Sequence, residues 1–270
     1  AALDITSTTK GLLIPRMTTS QRNSISSPGE GLVIYNTTVK CLEFYVGNGN
    51  WHNACGENTY LAYPESTVFC ASGPTDIVDV TNPTTGKIWM DRNLGGTQIA
   101  SNSTDTAAYG NRYQWGRKSD GHQCSNSSNT STLSSSSQPL HGDFITSSSD
   151  PFDWLLTKDD NLWQGVNGIN NPCPSGYRLP TSAELESERQ SWSSNDASGA
   201  FNSPLKFTLA GNRYFEDGLP NAVGVAGYIW SSTPSGFNTK YSSYLLFHSS
   251  SASVNSMQRG VGISVRCIKN

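Results

Sequence analysis

Six cysteines are the residues of this chain best placed to do chemistry, and they occur without a close Cys-x-x-Cys pair. Zinc and dithiol redox sites set two cysteines a few residues apart, so that both sulfurs reach one ion or one another. An even number of dispersed cysteines points instead to disulfides formed in an oxidising compartment. Cys41 and Cys55 stand at the two ends of a hairpin looped at Gly47-Asn-Gly-Asn50 and are expected to pair. Cys173 sits on a Pro/Gly turn, and Cys267 ends the alternating run Val261-Gly-Ile-Ser-Val-Arg-Cys267. A bridge between them would tie turn to strand across 267 − 173 = 94 positions. A loop of that length is worth roughly 4–5 kcal/mol in the chain-entropy model. If both bridges form, Cys70–Cys124 follows by elimination, one of the fifteen connectivities that six cysteines allow.

The other reactive side chains form no constellation. His52, His122, His141 and His248 are not spaced as a zinc pair, and no Gly-x-Ser-x-Gly elbow is present. Serines are so frequent that a chance Ser/His/Asp trio carries no weight. His122, in Asp120-Gly-His122, reads as a hydrogen-bonded turn residue rather than a general base. Two oxygen-rich clusters remain: Asp159-Asp160-Asn161, and Glu216-Asp217 with Asn221 after Pro220. Calcium takes six to eight oxygens, so either cluster could seat Ca2+, but both read first as turn and capping groups. No catalytic residue and no resident cofactor is expected.

The elements that hold these residues are short. Residues 1–58 form a first, small β module, whose extended runs begin at Leu3 and at Gly11-Leu-Leu-Ile-Pro-Arg-Met17. Thr18 with Gln21 starts a brief helix that should end near Ile25, and Leu32–Tyr35 and Cys41–Val46 read as strands. The first 17 residues show no hairpin partner, so they are a candidate assembly segment. Residues 59–68 read as a linker and 69–270 as a second domain. There Thr181 with Glu184 makes a capping box before a helix over 182–192. Strands are expected around 206–210, 227–230, 244–248 and 261–268, and residues 107–117 as a short helix or strand. Residues 125–138 form a low-complexity loop.

Charged residues are only 14 % of the chain, while seven Trp, eleven Tyr and nine Phe supply a core. Trp89, Trp115, Trp154, Trp163 and Trp230 are expected inside it, and Arg178 and Arg266 in buried hydrogen bonds or ion pairs. A net charge of −3 disfavours nucleic acid. No apolar run spans a bilayer, and Ala1-Ala2-Leu3-Asp4 lacks the basic start and apolar stretch of a signal peptide. The chain therefore reads as a processed product, extracellular or at the cell surface once an export signal has been removed.

The run Gly86-Lys-Ile-Trp-Met-Asp-Arg-Asn-Leu-Gly95, with Tyr113-Gln-Trp-Gly-Arg117 and Asp120-Gly-His122, resembles the Fibrobacter succinogenes major paralogous domain. Cys173-Pro-Ser-Gly-Tyr-Arg-Leu-Pro-Thr181, Trp230-Ser-Ser-Thr233 and Gly262-Ile-Ser-Val-Arg-Cys267 continue that resemblance, which covers about residues 69–268. It implies an α+β, C-type lectin-like domain with few helices and long loops, related to the formylglycine-generating enzymes and to variable ligand-binding proteins. The segment from Leu3 to Cys55 resembles a short module of bacterial surface and tail-fibre-like proteins.

That resemblance also narrows the chemistry. The formylglycine-generating relatives use two cysteines in the C-terminal half, whereas this chain has only Cys267 after Cys173. Sugar-binding C-type lectins carry Trp-Asn-Asp where this chain has Trp230-Ser231-Ser232, so their calcium residues are missing. Asp105-Thr106-Ala107 is similar to the acceptor pattern for O-glycosylation in some surface-dwelling bacteria, which makes Thr106 a glycosylation candidate. The sequons at Asn36, Asn102, Asn126 and Asn129 read as accidental in a bacterial protein.

The expectation is therefore a non-enzymatic structural subunit of a bacterial extracellular filament or surface adhesin, self-associating through its N-terminal module. The alternative is a lectin-like module that binds surface glycans or proteins.

Overall fold

The computed structural model describes residues 8–38, 40–47, 50–54, 63–64, 66–238 and 240–270. The chain divides into two compact units, residues 1–62 and 63–270.

In the first unit β1 (Arg16–Met17) leads into α1 (Thr19–Asn23), then β2 (Val33–Asn36), β3 (Cys41–Gly47) and β4 (Asn50–Asn53). The sheet runs in the order β1-β2-β3-β4. The first pair is parallel and the next two antiparallel. Thr18 caps α1 through its hydroxyl, which accepts from the Gln21 amide at 3.2 Å, and Gln21 Oε1 accepts from the Thr18 amide at 2.9 Å. Within the expected run 11–17, only Arg16 and Met17 join the sheet. Residues 1–7 of the expected assembly segment lie outside the described residues.

The second unit is assembled mostly from fragments. In chain order it holds β5 (Asp79–Thr81), β6 (Ile88–Met90), β7 (Tyr113–Gln114), β8 (Asn129–Thr130), β9 (Phe144–Ile145) and β10 (Tyr177–Arg178). Two short helices follow, α2 (Ser182–Gln190) and α3 (Ala197–Asn202), and then β11 (Asn212–Arg213) and β12 (Pro220–Asn221). The long strands come last: β13 (Ala226–Pro234), β14 (Tyr241–His248) and β15 (Ser251–Gln258), before β16 (Gly262–Ile263) and β17 (Ile268–Lys269). They form a meander β13-β14-β15, two four-stranded sheets ordered β10-β17-β6-β5 and β12-β11-β16-β7, and the pair β8-β9.

This corrects the expected fold class. An α+β, C-type lectin-like domain is not what the chain builds. Among the described residues the three α-helices have five, nine and six residues, and the other regular structure is mainly strands in several small sheets. The composition supplies the reason. Ser, Thr, Asn and Gly favour caps and turns over helix interiors, because their short polar groups bond the neighbouring backbone and glycine adds entropy. Only Ser182–Gln190, with three Glu and one each of Ala, Leu, Arg and Gln, has the helix formers to run for nine residues.

Other expectations shift for related reasons. Helix α2 stops at Gln190 and not at Trp192, whose ring packs on the core beside Phe207 and Phe247. Residues 207–210 are buried yet form no ladder; Leu209 N–H bonds Ser103 O at 2.8 Å instead. The alternation over 261–268 suggests one buried face, but every residue from Arg259 to Ile268 is buried and the run yields two two-residue strands. Within 107–117 lie the end of a 3-10 turn (Thr106–Ala108) and strand β7.

Two-residue strands satisfy little backbone, so the interior needs other donors. Four buried indoles provide them. Trp115 Nε1 donates to Ser231 O at 2.8 Å, Trp154 to Trp115 O at 2.7 Å, Trp163 to Asn170 O at 3.0 Å and Trp230 to Tyr113 O at 2.8 Å. Trp89 lies in the main core with Leu185, Phe207, Ile229, Leu245 and Phe247, and its Nε1 has no partner.

Replacing Trp115 by Phe strips Ser231 O of its indole donor. Replacing Trp89 by Phe removes a polar atom that bonds nothing. Both lose similar volume, so Trp115→Phe is expected to destabilise by about 1–3 kcal/mol more than Trp89→Phe. Urea denaturation of both variants measures the difference, and equal losses would show that the indole bonds do not matter.

Candidate functional site

Each residue singled out for chemistry has a definite structural position. Cys173 is joined to Cys267, with 94 positions between them, and Cys70 to Cys124, with 54. The expected Cys41–Cys55 pair lies outside the described residues, because Cys55 is not among them.

His122 is fully buried. Its Nε2 accepts from the Gln114 amide at 3.0 Å, so the proton sits on Nδ1, which faces Asp120 Oδ1 at 2.7 Å. Burial pushes its pKa down to about 4, with Arg117 and Arg213 adding to the effect and Asp120 opposing it. Asp120 also takes Arg117 Nε at 2.8 Å. Arg117 then donates to Asp143 O, His141 O and Gln114 Oε1 at 2.9–3.0 Å. Both imidazole nitrogens are thus committed to the fold, and the ring has no open lone pair to offer a substrate.

The oxygen clusters are similarly committed. Asp160 takes Lys158 Nζ at 2.7 Å and also pairs with Arg259, and Asp159 Oδ1 closes a turn on the Asn161 amide at 2.8 Å. Asp217 Oδ1 accepts from the Leu219 amide at 2.9 Å, while Glu216 and Asn221 are exposed. Among the described residues no group of three or more His, Cys, Asp or Glu side chains could hold a metal ion. Thr106 is exposed at the start of the 3-10 turn, which Asp105 caps through its bond from Ala107 N. Trp230, Ser231 and Ser232 are interior: the two hydroxyls donate to Ser243 O and Pro180 O.

Arg178 forks onto Glu184 with two 2.8 Å bonds, and Glu184 Oε2 accepts from the Thr181 amide at 2.8 Å, completing the α2 box. Arg266 is buried, and burial pushes its pKa down to about 9. It donates to Asn93 Oδ1 at 3.0 Å and to Leu205 O at 2.8 Å. Arg213, not singled out from the sequence, reaches Gly218 O, Cys124 O, Ser127 O and Asn129 Oδ1 within 3.2 Å. Asp153 was also missed: burial pushes its pKa up to about 7, with Arg259 opposing. Its place in the loop-like run Asp150-Pro-Phe-Asp-Trp154 gave no sign of burial.

The first unit holds the least expected arrangement. Glu43 is buried, and its Oε2 accepts from Arg22 Nη1 and from Asn36 Nδ2, each at 2.9 Å. Asn36 Nδ2 also reaches Thr19 Oγ1 at 2.9 Å, and the Arg22 guanidinium lies 5.7 Å from the Trp51 ring centre. Helix α1 therefore covers the face carrying Ile34, Asn36, Cys41, Glu43 and Trp51. The opposite face carries Val33, Tyr35, Leu42, Phe44 and His52, since Val33 is opposite Phe44, Tyr35 opposite Leu42 and Phe44 opposite His52. Strand β3 has apolar residues in both registers, so its alternation alone did not say which face α1 covers. Glu43 between Leu42 and Phe44, with Arg22 in the preceding helix, was the available signal.

Residues 1–68 match the family described as a phage tail-like trimerisation region. That match fits the tail-fibre-like module expected at the N-terminus, and it leaves residues 69–268 and their resemblance outside it. No curated protein matches the chain, and no solved structure does.

His122 and Asp153 pull the stability of the second unit in opposite directions. The unfolded chain protonates its histidine near 6.5 and the folded protein near 4, so acid favours unfolding across that window. Asp153 protonates near 7 when folded and near 3.8 when unfolded, so acid favours folding there. Asp153→Asn removes the second effect and leaves the first. The stability of the variant should fall relative to wild type by about 1.4 kcal/mol per pH unit between about pH 6.5 and pH 4.5. Urea denaturation across that range measures it, and parallel pH profiles would refute the assignment.

Proposed function

We propose that this protein is a non-enzymatic structural subunit of an extracellular fibre or surface appendage, assembled as a homotrimer through its N-terminal unit. The observation that carries the reading is the match of residues 1–68 to a phage tail-like trimerisation region. Three further features support it. The side chains best suited to acid–base or ligand work, His122, Asp120 and Asp160, are engaged in holding loops. The two disulfides of the second unit accord with an oxidising, extracellular setting. With charged residues at 14 %, the chain offers little of the basic surface that nucleic-acid partners need. Among the described residues no helix is long and apolar enough to cross a membrane.

The reading assigns the second unit no metal. Treatment with EDTA is expected to leave the melting temperature unchanged, and a downward shift would reveal a resident cation.

Native mass spectrometry and light scattering of the full chain should give three times the chain mass, and negative-stain microscopy of native material should show elongated assemblies. A chain that stays monomeric at high concentration would overturn the reading.

A further inference from the structure

The sheet of the first unit buries polar side chains beside Ile34 and Cys41 on one face and exposes apolar ones on the other. Its covered face holds a polar cluster, Arg22–Glu43–Asn36–Thr19, beneath α1. Its other face presents Val33, Leu42 and Phe44, which are 42 %, 44 % and 37 % exposed, flanked by Tyr35. Strand residues placed directly opposite share a face and touch, so Val33–Phe44 and Tyr35–Leu42 make a contiguous patch across β2 and β3. The guanidinium of Arg16 lies 4.8 Å from the Tyr35 ring centre at one margin, and the His52 ring lies 5.2 Å from Phe44 at the other. An apolar centre with a polar rim is the anatomy of a protein–protein interface.

From this geometry we infer that the Val33/Tyr35/Leu42/Phe44 face is the trimer interface, occupied by the same face of two further copies of this chain. The inference rests on the trimerisation reading of residues 1–68 and names the surface that performs it. Two arguments select a second copy as the occupant. The patch falls within the matched trimerisation region, and it is uncharged at its centre, so identical patches meet without like-charge repulsion. Three such sheets turned toward one axis close a ring, which buries each patch against its neighbours and leaves no open end. The arrangement also accounts for the polar cluster on the inner side. The bonds among Arg22, Glu43, Asn36 and Thr19 fix α1 on one face, so that the apolar face is the one left for the partner.

The test uses the full chain. Wild type is expected to be trimeric by native mass spectrometry. Leu42→Glu and Phe44→Glu each place a carboxylate in the patch and should raise the dissociation constant at least about tenfold, as loss of a central interface residue does. Leu140→Glu, at an exposed leucine of the second unit, should leave the trimer intact, and Phe44→Leu should retain it. Circular dichroism establishes that each variant is folded. If a variant fails to fold, hydroxyl-radical footprinting of the unaltered protein replaces it: Leu42 and Phe44 should be several-fold less labelled in the trimer than after dilution to monomer, with Leu140 unchanged. A wild-type trimer that persists in both Glu variants, or shows no protection at Leu42 and Phe44, overturns the face and leaves trimerisation standing. A monomeric wild type overturns the trimerisation reading and the face with it.

Discussion

A buried main-chain carbonyl must find a donor, and in the second unit this requirement governs most of the architecture. Long β-ladders meet it automatically, but here the six strands before the meander, β7 to β12, are only two residues long. Side chains with rigid N–H donors fill the gap. Trp115, Trp154, Trp163 and Trp230 each reach a carbonyl on another segment, and Arg117, Arg213 and Arg266 fan several donors onto loop carbonyls. An arginine suits this work because its five N–H groups diverge in a fixed plane. Desolvating the cation is costly, and the dense hydrogen bonding together with ring contacts, such as Arg266 over Phe207 at 4.9 Å, offsets it. The aromatic and arginine residues are therefore less a core filling than a set of fasteners for irregular backbone.

The same view explains what could be read from the chain. Local signals with a short physical range came through: the Thr181–Glu184 box and the Thr18–Gln21 box depend on residues three apart, and both are formed. The burial of Trp89, Trp115, Trp154, Trp163 and Trp230 followed from size and apolarity. Fold class did not come through, because it depends on which carbonyl each Trp and Arg meets, the indole bonds alone running from 7 positions for Trp163 to 117 for Trp230. Strand β15, Ser-Ala-Ser-Val-Asn-Ser-Met-Gln, was invisible for another reason. Its residues have weak β preference on their own, and they become a strand by pairing along the whole of β14. The candidate site was partly legible: His122 was recognisable as a turn residue from Asp120-Gly-His122, whereas the sidedness of Leu42 and Phe44 required knowing where α1 lies.

The two units thus differ in what they leave to a partner. The second ties carbonyls of its irregular backbone to Trp and Arg donors and buries Trp89, Trp115, Trp154, Trp163 and Trp230. The first, a four-stranded sheet with one small helix, hides the Glu43 carboxylate and Asn36 amide beside Ile34 and Cys41 and leaves Val33, Leu42 and Phe44 outside. A small sheet with one helix has little interior to bury, and in the trimer reading the neighbouring copies supply the rest of its core.

The two disulfides of the second unit have a mechanical consequence. Tension transmitted along the main chain passes from Cys70 directly to Cys124 and from Cys173 directly to Cys267. The segments 71–123 and 174–266, which include the meander, α2 and the His122 turn, lie off that path and cannot be drawn out while the sulfur bonds hold. Under a stretching force only the stretches between and beyond the bridges can lengthen. The covalent framework thereby caps how far the unit can extend, and the folded region between each cysteine pair stays available to re-form once the force is released.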